Sequence, residues 1–228
     1  MDLKSIRLFH GTSSKYLNHI LKHGISPASV TGNKGNWEHT ITAHQDAVYL
    51  STSYAPYFAM CSIKNERKEK ALIIEVDPSQ LQEEFLYPDE DVLPHIIKIE
   101  DSESLDINII TQYFRDNIKD YQQYWEASLA LLGNCAYHQI IPPKAFKTVA
   151  LFDQMKNKSA WMKSVDPSII PINYQILGHN YFALTRWMIG EKVTPQEVSH
   201  TYGHFPEFDR GLEEMLENQP VEIIYKSD

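Results

Sequence analysis

This chain of 228 residues has little of what would place it in several large classes of protein. It carries two cysteines, Cys61 and Cys135, far apart and without a partner motif. That excludes a disulfide framework and a cysteine zinc site, and suits a reducing compartment in which both thiols are read as core residues. No apolar run approaches the ~20 residues that cross a bilayer, and Met1-Asp2-Leu3-Lys4 lacks the apolar stretch of a signal peptide. A cytoplasmic protein with no membrane partner is therefore expected. Repeats and low-complexity tracts are absent. Basic charge is short too: 21 Lys and Arg face 30 Asp and Glu, leaving a net charge of -9, which does not suit a general nucleic-acid surface.

What is present is enough apolar material, 43% of residues, to fill the core of one large domain. The acids are concentrated. Glu83, Glu84, Asp89, Glu90, Asp91, Glu100, Asp101, Glu103 and Asp106 stand against Lys98 alone, a belt that is either a solvated face or a group of carboxylates raising one another's pKa values. Short basic stretches around Arg67 and Lys147 could track phosphates locally.

Short strands and helices alternate along the chain. Ile6-Arg7-Leu8-Phe9 reads as a strand ending in His10-Gly11-Thr12, where a glycine admits a flat ligand to the backbone and an imidazole can bond a ribose hydroxyl. Ser13 or Ser14 caps a helix through Lys22 or His23, stopped by Gly24. Residues 28–46 read as a surface loop, 47–51 as a strand, and Tyr54 to Ala59 as the start of a helix. Ala71 to Asp77 is the clearest strand. Apolar positions 107, 110, 114, 118, 121, 125, 129 and 132 predict one amphipathic helix, or two in line, stopped by Gly133-Asn134. Residues 135–141, 146–152 and 221–225 supply further strands. Asp166-Pro167 through Pro171 suggests a linker, Tyr174 to Gly190 a helix, and Thr194-Pro195-Gln196-Glu197 a capping box. His19 and His23, and again His200 and His204, stand four apart. No third ligand is evident for the first pair and Gly203 and Pro206 break the second, so no metal is expected.

The order strand-His-Gly-Thr, helix, Gly-Ile-Ser-Pro, strand with Tyr49-Leu50-Ser51, helix with Tyr54-Ala55-Pro56-Tyr57, then a strand ending Glu75-Val76-Asp77 resembles the NAD-binding half of the ADP-ribosyltransferase superfamily. The branch it is most similar to is the His-Tyr-Glu one, with diphtheria toxin, poly(ADP-ribose) polymerases and RNA 2'-phosphotransferases. The likeness spans about residues 6–152. It implies NAD as co-substrate, with His10 on the ribose, Gly11 on the nicotinamide amide through its backbone, Tyr49 and Tyr57 sandwiching the nicotinamide, and Thr12 and Ser51 as nearby hydrogen-bonding groups. Breaking the nicotinamide–ribose bond develops positive charge on the sugar, so a carboxylate is wanted beside it.

Such families place a glutamate at the head of the strand before an Ile-Pro turn, and Gly133-Asn134-Cys135-Ala136-Tyr137-His138-Gln139-Ile140-Ile141-Pro142 has no acid. Two substitutes stand out: Glu126, beside Trp125, and Glu90 in the Asp89-Glu90-Asp91 group. The expected fold is α+β, an ADP-ribosyltransferase-like split mixed β-sheet with flanking helices, in which residues 1–165 form the NAD-binding domain and 166–228 a helical C-terminal extension packed on it. The expected activity is transfer of ADP-ribose from NAD to a macromolecular acceptor, protein or nucleic acid, as in a bacterial or phage toxin or defence effector with an antitoxin or inhibitor protein as partner. An NAD-dependent RNA 2'-phosphotransferase would instead need arginines around His10. A non-catalytic NAD or ADP-ribose-binding module would lack a carboxylate near the nicotinamide ribose.

Overall fold

A computed structural model describes residues 3–32, 43–97, 106–158, 182–199 and 215–227. Seven strands form one open sheet: β1 (Leu8–Ser13), β2 (Val48–Ser51), β3 (Ala71–Val76), β4 (Leu86–Pro88), β5 (Asn134–Tyr137), β6 (Phe146–Phe152) and β7 (Val221–Lys226), in the order β4-β5-β2-β1-β3-β6-β7. With its helices this makes the fold α+β. A mixed sheet was expected, but every strand pairing among the described residues is antiparallel. Side-chain alternation assigns the two faces. Phe9, Ala71, Ile73, Ala150 and Phe152 join one buried cluster, whereas Leu8, Leu72, Ile74, Val76, Val149 and Leu151 join the other. The unbroken run of β3 follows from this, since both of its faces are covered.

The helices divide between these faces. Against the first pack α3 (Ala55–Ser62) and the helical residues 182–188, through Ala59, Ala183, Leu184, Trp187 and Met188. Against the second pack α1 (Leu17–His23) and α6 (Trp125–Leu131), through Ile20, Trp125 and Leu129. Ser13 caps only a single turn, Ser14–Tyr16, before α1 begins at Leu17. Gly24 ends α1 at φ 86°, where a Cβ would lie 2.2 Å from the Ile141 carbonyl oxygen. That close approach lets Ile25 and Ile141 exchange two hydrogen bonds of 2.9 Å. Residues 28–31, expected in a loop, form the short helix α2 (Ala28–Thr31).

The expected helix over 107–132 is broken. It consists of α5 (Ile107–Asp116), which follows the four-residue helix α4 (Leu93–Ile96), then a 3-10 segment Ile118–Tyr124, then α6. The break falls at Asn117, whose backbone N–H and side-chain amide both donate to the Tyr113 carbonyl, a local side-chain bond that competes with continuation of the helix. The expected strand 135–141 is shorter, because β5 stops at Tyr137.

The region expected as a helical extension supplies core and sheet alike. β7 pairs with β6, and Val198 and Met215 join the cluster around Phe9. Arg7 donates to Glu75 at 2.7 Å and to Glu191 at 2.6 Å, while Arg186 donates to the same Glu191 at 2.7 Å and to Glu197 at 2.9 Å. Thr194 and Glu197 form the reciprocal capping box. The residues of the proposed linker, 166–171, and His200 and His204 lie outside the described residues.

One junction in the sheet is thin. β1 meets β3 through six register pairs from Leu8↔Val76 to Ser13↔Ala71, but meets β2 only at Phe9↔Ser51. Helix α3 packs closely on β1 beside this junction: a Cβ on Gly11 would lie 1.7 Å from the Ala55 carbonyl oxygen. Gly11→Ala must therefore displace α3. It should cost about 3 kcal/mol in chemical denaturation, at the upper end for overpacking a tight contact, and wild-type stability would show that α3 yields there.

Candidate active site

The site lies where β1 and β2 part. The Ser14 amide donates to the Lys70 carbonyl at 2.9 Å, so alternation along β1 points the peptide groups of Thr12 and His10 at β3 and that of Gly11 toward β2. The β2 residue that would continue the ladder there is Tyr49, and its carbonyl accepts instead from His10 Nδ1 at 3.0 Å. A side chain has taken the place of a ladder bond. Because a carbonyl only accepts, Nδ1 carries the proton, and in the neutral ring Nε2 is left as an acceptor. Burial lowers the pKa of His10 and the Tyr49 contact opposes this only in part, which favours the neutral ring.

Tyr49 connects this point to an acid. Its hydroxyl donates to Glu90 Oε1 at 2.6 Å, and the His44 amide donates to the Tyr49 hydroxyl at 2.8 Å and to the same carboxylate oxygen at 3.4 Å. Glu90 sits in the turn after β4 with 4% of its surface exposed, and Asp89 beside it is equally buried at 6%. Burial pushes the Glu90 carboxyl above its ordinary range, opposed by the Tyr49 hydrogen bond. Asp89 is pushed well above, first by burial and then by its acidic neighbours. Burial and the charge of Glu90 raise the Tyr49 phenol, keeping it a donor. The pair thus consists of a phenol that keeps its proton and a carboxylate that accepts it in a hydrogen bond.

Beside the pair three rings stack. Tyr87 and His138 have centroids 4.2 Å apart, and His138 and His44 4.8 Å apart. Burial and the neighbouring His44 lower His138 to about 4, so it stacks as a neutral ring. His44, the end ring of the stack, lines a depression of about 340 Å³ together with Ala43, Gln45, Asp46, Arg115 and Asp116.

The two candidate carboxylates separate cleanly. Glu90 is bonded to Tyr49, whereas Glu126 lies half-buried in the first turn of α6 and is not among the partners of His10 or Tyr49. Ser51 is fully buried, donates to the Gly133 carbonyl and accepts from the Ser53 and Tyr54 amides, so its hydroxyl is committed to the start of α3 rather than to a ligand. Thr12 is buried with its hydroxyl toward Ser62 of α3 at 3.5 Å. The missing side chain of Gly11 makes room for Ala55, so only its peptide group faces the parting strands. Tyr57, half-buried on α3, is hydrogen-bonded to the Cys61 thiol.

Sequence reasoning missed His44, whose contribution is a backbone amide that any residue could supply. It also missed Ser128 and Asn134 as partners of Asp89, since nothing in either residue type announces a contact with a turn some 40 positions away. Among the described residues, no group of three or more His, Cys, Asp or Glu could hold a metal. No protein-family model and no curated protein sequence matches this chain.

The buried acids bear on stability. A carboxyl whose pKa is raised by folding binds more protons folded than unfolded, so its contribution is intact below its ordinary range and is lost as pH rises through the raised value. Asp89→Asn removes the ionisation and keeps the shape. The melting temperature of this variant should exceed that of the wild type at pH 8 and converge with it near pH 4; equal differences at both would show that Asp89 ionises freely.

Proposed function

We propose that this chain is an ADP-ribosyltransferase that takes ADP-ribose from NAD, releases nicotinamide and transfers the sugar to a macromolecular acceptor. The observation that carries this reading is the 2.6 Å hydrogen bond from Tyr49 to buried Glu90, on the strand whose Tyr49 carbonyl holds His10. It supplies the carboxylate that the head of β5 lacks, from the neighbouring β4 turn. An ADP-ribosyltransferase-like fold is the finer reading of the α+β architecture, supported by a sheet that opens beside His10-Gly11.

In this reading the Gly11 peptide group holds the nicotinamide amide, and Tyr49 and Tyr57 flank its ring. His10 Nε2 accepts from a ribose hydroxyl, which its fixed tautomer allows. As the bond between ribose C1' and the nicotinamide nitrogen breaks, its electron pair leaves with nicotinamide and positive charge grows on the sugar. Glu90 is the anion set against that charge, in a site dry enough for the interaction to be strong. The acceptor then attacks C1'.

Removal of an RNA 2'-phosphate fits less well. Only burial and the Tyr49 carbonyl act on His10, and no arginine does so among the described residues. A binding module without catalysis would not need a carboxylate desolvated against a tyrosine.

Purified protein incubated with labelled NAD should release nicotinamide and label an acceptor in cell extract. Label that disappears with protease identifies a protein acceptor, and label that disappears with nuclease a nucleic acid. Glu90→Gln should lower turnover by about 100-fold or more, His10→Ala should abolish it, and Glu126→Gln should leave it unchanged, all with wild-type circular dichroism. Turnover should fall on acidification at a pH above the ordinary glutamate range, because Glu90 must be ionised and burial raises its pKa. Full activity in Glu90→Gln would overturn the reading.

A further inference from the structure

The Glu90 turn is fixed from one side by a serine that has no reason to be buried except for what it bonds. Ser128 lies on α6 between Trp125 and Leu129, with 0% of its surface exposed. A serine inside a helix ordinarily faces solvent or bonds back to the carbonyl four residues earlier. Ser128 does neither. Its hydroxyl donates to the Asn134 carbonyl at 2.8 Å and accepts from the Asp89 amide at 2.9 Å, joining α6, the head of β5 and the acidic turn at one oxygen. The Asn134 side chain also acts on the Asp89 carboxyl, favouring its anion by hydrogen bonding.

The turn is also closed behind Glu90. The Val92 amide donates to the Asp89 carbonyl at 3.1 Å and the Leu93 amide to the Glu90 carbonyl at 3.3 Å, leading into α4. Glu90 is thus bracketed, with the Ser128 bond just before it and the α4 bonds just after. Strand register gives the bracket a common reference with Tyr49. On β5, Asn134 pairs with Ser51, Cys135 with Pro88 of β4, and Ala136 with Tyr49. Moving the turn relative to β5 therefore moves Glu90 relative to the phenol that donates to it.

We infer that Ser128 is a positioning residue for Glu90: its hydroxyl, shared between the Asp89 amide and the Asn134 carbonyl, holds the acidic turn in the one placement that sets the Glu90 carboxylate on Tyr49. Ser128 touches neither NAD nor acceptor and acts only through the turn. The inference rests on Glu90 being the catalytic carboxylate, but the geometry it asserts exists whether or not NAD is turned over.

The test uses the full chain and two readouts. In Ser128→Ala, kcat for nicotinamide release should fall by about 10- to 100-fold, the range expected for misplacing a catalytic group by about an ångström, while KM for NAD stays within twofold. By carbon-13 NMR of the Glu90 side-chain carboxyl, with Tyr49, Asp89 and Asp91 as the titrating neighbours, the Glu90 midpoint should move from its wild-type position as the Tyr49 bond is lost. Ser128→Thr, which keeps the hydroxyl, should restore both readouts. Should Ser128→Ala not fold, Ser128→Cys fills the space with a weaker hydrogen-bonding group and should shift both in the same direction by less.

The inference is overturned if folded Ser128→Ala or Ser128→Cys keeps the wild-type Glu90 titration, or if kcat and KM change while that titration does not. If the wild type turns over no NAD but the titration shifts as described, the positioning stands and the transferase reading falls.

Discussion

The bond from His10 Nδ1 to the Tyr49 carbonyl is the interaction on which the site depends, because it occupies the acceptor that would otherwise close the β1–β2 ladder. A sheet loses pairing only where something else satisfies the freed backbone groups or where solvent or a ligand reaches them. Here the imidazole satisfies one carbonyl, and the Gly11 peptide group remains directed into the opening. On the other side α3 rests on Gly11 with its own backbone, so β1 cannot swing toward that face to follow β2. The parting of the strands is thus built into β1 from two directions, by an imidazole and by the absence of a side chain.

The second constraint is desolvation. Two adjacent carboxyls, Asp89 and Glu90, are nearly inaccessible, and their burial is unfavourable wherever both are charged. Burial raises both, and the charges of its acidic neighbours raise Asp89 further. Glu90 receives donors suited to an anion, the Tyr49 hydroxyl and the His44 amide. Asp89 accepts from the Asp91 amide and the Asn134 side chain, and it is the one pushed further toward its neutral form. Neighbouring acids of similar intrinsic strength are thus set apart by their surroundings.

How far the sequence disclosed this varies with the range of the contacts. The branched run 71–77 announced a strand, and Ile6 to Phe9 announced another, although that one begins at Leu8 and carries His10-Gly11-Thr12 inside it rather than at its end. Both are local patterns. The 3- and 4-residue spacing across 107–132 located the helical material but not its interruption, because the Asn117 amide acts by hydrogen bonding, which hydrophobic spacing does not encode. At Asp89-Glu90-Asp91 the run of acids after Pro88 pointed to a loop near a pocket, yet Glu126 read equally well from its aromatic neighbours. Only the path of β4 beside β5 separates the two. Ser51 shows the opposite failure: a hydroxyl next to a candidate site invites a ligand role, but at the end of β2 it donates to the distant Gly133 carbonyl and accepts from the Ser53 and Tyr54 amides.

The sheet is assembled from both ends of the chain, and this fixes when each wall of the site can exist. β4, β5 and β2, with Glu90 and Tyr49, are complete once Tyr137 has been synthesised. The wall carrying His10 rests on Phe9 packed among residues beyond 182 and on Arg7 tied to Glu191, 184 positions away. On the ribosome the acid and the phenol can meet while the opposite wall still lacks its cover, so a nascent chain holds half a site until the residues beyond 182 that pack on Phe9 have emerged. The two walls of the candidate site are therefore completed in order, the acid and phenol first and the imidazole second.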